Sequence, residues 1–187
     1  MTEEGHPERL NVQIEEWRPT GTEADQEFFN TIMPELRALK ARHYDDLSKQ
    51  KSYSEEYVGV RLDYLERRLH ALKPGDVVYI GRSSDRVVAC VLVRWDEQEN
   101  RTKIEQFYTD STMRSQGIGK NMLERAFAHA RETHTGSRGL FLSTGKGEEN
   151  RARKLYERNG FFVSALPGDN DEEDRFDLDF GTEQKSV

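Results

Sequence analysis

The chain contains one cysteine, Cys90, in 187 residues. An intrachain disulfide is therefore excluded, and a reducing, cytoplasmic setting is the expectation. Cys90 stands inside the apolar run Val87-Val88-Ala89-Cys90-Val91-Leu92-Val93, where packing is its expected role. No stretch approaches the roughly 20 apolar residues that cross a bilayer. The opening Met1-Thr2-Glu3-Glu4-Gly5 carries no apolar leader segment either, so neither a membrane nor a secretory route is expected. Positive charge is in deficit: the net charge is −7, which argues against nucleic acid as the main partner. The five histidines, His6, His43, His70, His129 and His134, have no metal-ligand spacing, so no metal is expected. His70, His129 and His134 read as exposed helix positions and His43 as a core-facing one. Apolar residues make up only 34% of the chain, equal to the charged share. They recur with strong periodicity, which marks a folded chain rather than a disordered one.

The length suits a single domain. Residues 1–11 read as a loose tail, 12–180 as the domain and 181–187 as a second tail. Val12 to Trp17 alternates like a strand. Thr22, with Asp25 three residues on, resembles a capping box for a helix carrying Phe28, Ile32, Leu36, Leu39, His43 and Leu47. Pro34 falls inside it, so a kink or two short helices are expected. Ser54 is placed to cap a second helix with the stripe Val58, Leu62, Leu65, Leu69 and Leu72, ended by Pro74-Gly75-Asp76. A hairpin of Val77–Ile80 and Arg86–Trp95 follows, then a strand Lys103–Thr109. Later come strands over Gly139–Thr144 and Phe161–Val163, an acidic loop from Pro167 to Asp174, and a strictly alternating, half-exposed strand Arg175–Phe180. The order β-αα-βββ-α-β-α-ββ predicts an α/β fold: one mostly antiparallel mixed sheet flanked by helices.

The most informative stretch is Arg114-Ser115-Gln116-Gly117-Ile118-Gly119-Lys120, between the strand Lys103–Thr109 and a helix with Ile118, Met122, Leu123, Ala126, Phe127 and Ala130 on one face. First-turn N–H groups, the helix dipole and glycines that permit close approach together make an anion site, and Arg114 and Lys120 add positive charge. The stretch is not a P-loop, because Arg114 stands where the first glycine would be and Asn121 follows Lys120. It is not a dinucleotide fingerprint either, because Met122 replaces the third glycine. What remains is R-x-x-G-x-G after an acid-bearing strand.

That pattern resembles motif A of the GNAT N-acetyltransferase superfamily, and a second match follows. Asn150-Arg151-Ala152-Arg153-Lys154-Leu155-Tyr156, with Asn159-Gly160-Phe161 after it, resembles the superfamily's motif B, a short helix with A-x-x-L-Y and a helix stop. The resemblance covers Val77 to Phe180. It implies acetyl-CoA as the acetyl donor, with its pyrophosphate held by Arg114, Ser115, Gln116, Gly117, Ile118, Gly119 and Lys120. It also implies that the backbone at Phe107 and Thr109 pairs with the pantetheine arm. The superfamily commonly has asparagine seven residues before the tyrosine, where this chain has Glu149, so Asn150 is the candidate for that cofactor contact.

Two side chains are candidates for the proton transfers. Strand alternation would put Glu105, Phe107 and Thr109 on one face, from which Glu105 could serve as base, directly or through water; the other reading is an ordinary strand acid. Tyr156, which the resemblance sets near the sulfur, is the candidate acid; the other reading is a packed aromatic. The acids in Tyr44-Asp45-Asp46 and Glu55-Glu56-Tyr57 suit a cationic acceptor such as a polyamine or aminoglycoside, or else a solvated surface. The expected protein is thus an N-acetyltransferase acting on a small or peptide amine, as monomer or homodimer. The alternative is a GNAT-fold module that binds acyl-CoA without turnover.

Overall fold

The computed structural model describes residues 12–48, 53–146, 151–168 and 172–181. Asn150, both expected tails (apart from Gly181) and the middle of the acidic loop, Asp169 to Asp171, lie outside the described residues. In chain order the elements are β1 (Val12–Trp17), α1 (Glu23–Ser48), α2 (Glu55–His70), β2 (Val77–Ser83), β3 (Arg86–Asp96) and β4 (Arg101–Thr109). A short 3-10 turn, Ser111–Met113, leads to α3 (Ile118–Thr133), β5 (Gly139–Gly145), α4 (Arg151–Arg158), β6 (Phe162–Pro167) and β7 (Glu173–Asp179). The strands form one sheet in the order β1-β2-β3-β4-β5-β7-β6, antiparallel except between β4 and β5.

The sheet is covered on both faces, which is why its central strands read as continuous apolar runs. Val77, Tyr79, Val91 and Val93 point into a core shared with α3 and α4. Their neighbours Val78, Ile80, Cys90 and Leu92 point into a second core, shared with α1 and α2. Cys90 is buried there, as its setting in the run predicts, and burial pushes its thiol up to about 12.

Four local expectations change. Pro34 does not divide its helix: α1 runs unbroken for 26 residues. Ile32, Met33, Leu36 and Leu39, on both sides of the proline, are buried in one core, and that packing outweighs the roughly 3 kcal/mol a helix-interior proline costs. At the start of α1 the cap is supplied by Asp25, whose carboxylate accepts from the N–H groups of Thr20 and Gly21. The Thr22 hydroxyl meets Thr20 instead. His129 is buried rather than exposed: its Nε2–H donates to the carbonyl of Gly75 at 2.8 Å, a partner remote in sequence. Finally, β7 is not half-exposed in alternation. It runs between β5 and β6, and Arg175, Phe176 and Asp177 are buried.

Candidate active site

The site is organised by an irregularity in β4. Cys90 pairs with Tyr108 and Leu92 with Glu105, so Val91 alone stands opposite both Gln106 and Phe107. Gln106 takes a left-handed backbone, φ 50°. This is a β-bulge, and for a non-glycine residue it costs about 1 kcal/mol or more. Three contacts hold it. The Lys40 ammonium of α1 donates to Gln106 Oε1 at 2.8 Å, the Tyr108 hydroxyl donates to the same oxygen at 3.1 Å, and Cys90 Sγ donates to the Gln106 carbonyl at 3.2 Å.

The bulge reverses the alternation that the sequence reading assumed. Phe107 packs into the α3–α4 core, with Tyr156 at 6.2 Å between ring centroids. Glu105 faces the other way, toward α2. Its carboxylate accepts from Nε of Arg68 at 2.9 Å and from the same guanidinium's Nη2, with Lys103 Nζ at 3.2 Å and Arg94 Nη1 at 3.7 Å. Glu105 and Phe107 therefore do not share a face. A buried carboxylate engaged by three cations is a structural counterion, and this geometry gives no support to Glu105 as the base.

A cleft opens beside the bulge. The ladder between β4 and β5 is confined to Thr102–Leu140 and Lys103–Phe141. Beyond these pairs β4 follows β3 and β5 follows β7, so the two strands part from Ile104 onward. Phe107 and Thr109 lie on the parted segment of β4. The first turn of α3 sits close by: a Cβ on Gly119 would lie 3.7 Å from the Phe107 ring and 3.1 Å from Leu155.

The loop between β4 and α3 is shaped for an anion. Ser115 has φ 65° and Gly117, the residue before α3, has φ 80°. Among the described residues no side chain caps this end, and the first turn carries no acid, so the amides that Ile118, Gly119 and Lys120 present there have no side-chain partner among them. Lys120 also borders a groove of about 440 Å3, whose other walls are Arg151, Lys154, Leu155, Arg158 and Asn159. Four cations thus stand beside the open helix end. Arg151, Lys154 and Arg158 were not among the residues singled out from sequence, although their spacing along a short helix was visible. Arg114 has a partner on the other side, Asp46 of α1 at 3.4 Å.

Tyr156 is buried on the inner side of α4, among Phe107, Phe161 and Phe176. Its hydroxyl makes no hydrogen bond among the described residues. Desolvation raises its pKa above the ordinary tyrosine value, so the phenol keeps its proton. The stop after α4 is as the sequence predicts: Asn159 Nδ2 donates to the Leu155 carbonyl at 2.8 Å, and Gly160 has φ 89°.

The model of the acetyltransferase (GNAT) family matches residues 38–161. A search of curated protein sequences returned no match. Solved structures of the same fold include a protein from Pyrococcus horikoshii, with TM-score 0.66, 18% identity, 91% of this chain and 99% of that one covered. The PaiA N-acetyltransferase of Thermoplasma acidophilum, in complex with coenzyme A, gives TM-score 0.63 at 14% identity, covering 90% of this chain and 99% of that one. A protein assigned as a streptothricin acetyltransferase of Bacillus anthracis, in complex with acetyl coenzyme A, gives TM-score 0.50 at 21% identity over 59% of this chain and 67% of that one.

Proposed function

The chain belongs to the acetyltransferase (GNAT) family of enzymes, and we propose that it transfers the acetyl group of acetyl-CoA directly to a primary amine. The observation that carries the reading is the parted β4–β5 pair, with an uncapped helix end and a four-cation groove beside it. The residues fit the donor. Pyrophosphate suits the first-turn amides of α3, from Gly117 to Lys120. The remaining phosphate charge suits Arg151, Lys154 and Arg158. An extended pantetheine arm suits the backbone of β4 at Phe107 and Thr109. Acetyl-CoA supplies the activated acyl carbon.

Each side chain then has a limited task. The bulge at Gln106 turns the end of β4 so that its backbone lines the cleft. Tyr156, neutral and lacking a hydrogen-bond partner among the described residues, is set to give a proton to the departing thiolate. The amine enters from the α1–α2 side, and its proton leaves to water. A cationic acceptor, expected from the acidic clusters, gains no support here. Asp46 is engaged by Arg114, and Asp45, Glu55 and Glu56 are exposed.

Thiol release from acetyl-CoA in the presence of amines tests the proposal, with intact-mass measurement of the acceptor. A gain of one acetyl group by the amine is the expected result. Tight CoA binding without release, across chemically varied amines, would leave only the binding-module alternative.

A further inference from the structure

On the acceptor side of the bulge, α2 presents Tyr57, Arg61, Tyr64 and Arg68 at helical spacing, one stripe of alternating tyrosine and arginine. Three cations converge on the ring of Tyr64: Lys40 at 5.9 Å, Arg61 at 5.8 Å and Arg68 at 5.6 Å from its centroid. Arg68 is neutralised by Glu105. The other two are not. Arg61 Nε donates to the Tyr44 hydroxyl at 2.9 Å, and Lys40 donates to Gln106 at 2.8 Å, both neutral acceptors. Among the described residues no carboxylate pairs with either.

Lys40 is fully buried, so its position is held by packing and not by solvent. Arg61, beside it, stays charged with no acid as partner among the described residues, a state unfavourable to desolvate. The natural relief is an anion that arrives with the substrate. The stripe is reachable: Tyr57, at its outer end, is 41% exposed, and Arg61 is half-buried.

We infer that the acceptor is an amine that also bears a carboxylate, and that the carboxylate is read by the Arg61 guanidinium. This rests on the acetyl-transfer reading above and narrows it to an amino-acid-like class. A planar guanidinium matches a carboxylate with two parallel bonds, while the flanking tyrosine rings suit the carbon skeleton between carboxylate and amine.

The test uses α-, β- and γ-amino acids, each paired with its primary amide, and follows thiol release from acetyl-CoA by the full-length protein. Each pair shares the amine and the skeleton and differs in the charge that Arg61 would meet. For at least one pair the carboxylate form is expected to have a kcat/KM tenfold to hundredfold higher, mostly through KM, the range of a charge-assisted hydrogen bond. Arg61→Gln should collapse that ratio toward one, and Arg61→Lys, which keeps the charge but not the fork, should restore part of it. Should Arg61→Gln fail to fold, Arg61→Lys alone must still lower the ratio. Equal or better turnover of every amide would overturn the carboxylate assignment and leave acetyl transfer standing. CoA binding by calorimetry with no thiol release from any member would overturn the transfer reading and this inference with it.

Discussion

Replacing Glu105 with glutamine separates two readings of the same residue. If Glu105 is the counterion seen in the structure, the change removes one negative charge from between Arg68, Lys103 and Arg94, and nothing replaces it. The carboxylate is almost completely buried, and Lys103 and Arg94 are each only 15% exposed in their side chains. Breaking a fully buried pair costs about 3–5 kcal/mol. Arg68 keeps 29% of its side-chain surface, so water recovers part of that, and about 2 kcal/mol is the expected loss. For a chain of this size the melting temperature should fall by about 4–8 °C. Thermal unfolding followed by circular dichroism measures that shift, and kcat measured across pH on the same preparation measures the chemistry. A structural counterion predicts the melting shift with a pH profile of unchanged shape. A base predicts the reverse: loss concentrated at neutral pH, recovery once alkaline pH deprotonates the amine, and little change in melting. The second outcome would refute the geometric argument from the bulge.

Tyr156→Phe keeps the ring against Phe107 and Phe176 and removes only the hydroxyl, so kcat should fall toward the low end of about 10²–10⁴ while CoA affinity holds; an unchanged kcat would make Tyr156 a packing residue. Gly119→Val would set its Cβ 3.1 Å from Leu155 and 3.7 Å from the Phe107 ring and add two methyls beside the cleft, and calorimetry should show CoA binding weakened by more than tenfold. Lys154→Ala with Arg158→Ala should weaken CoA binding about tenfold at low salt and less at high salt, since both side chains are exposed. Lys40 is pushed down to about 7 by burial, and below it the buried ammonium is unfavourable. The unfolded chain therefore holds more protons between about pH 7 and 10, and stability rises with pH over that window. Lys40→Met should flatten that rise relative to the natural protein, as read from urea unfolding at pH 7 and pH 9.5.

The sequence was most legible where local chemistry is decisive. Glycines at 117, 119 and 160 reveal a helix start and a helix stop, and the structure has positive φ at Gly117 and Gly160. The alternating cores of β2 and β3 follow from period two. It was least legible at the bulge, because Gln106 carries no signature of a left-handed backbone. The residue is held there by Lys40, far away in the chain, so only tertiary contacts reveal it. That one missed residue is also what misled the reading of Glu105, since every side chain beyond a bulge changes face. His129 failed for a related reason: its partner, the Gly75 carbonyl, lies across the fold, and no helical period foretells it.

The bulge also explains why the two sides of the site differ in character. Were β4 regular, Phe107 would share the α1–α2 face with Glu105, and the aromatic surroundings of Tyr156 on the α3–α4 side would lose a ring. One extra residue sends Phe107 to that side, which leaves a dry, aromatic wall around Tyr156. On the opposite side Glu105, Gln106 and Tyr108 all face α1 and α2, and there they gather Arg68, Lys40 and, through Tyr44 and Tyr64, Arg61. The acidic protein thus gathers positive charge on the α1–α2 side of the bulge. Net charge, the quantity that composition reports, has the wrong sign for this patch, and substrate preference should follow the patch because Coulomb interaction is strongest over the few ångströms of a buried contact.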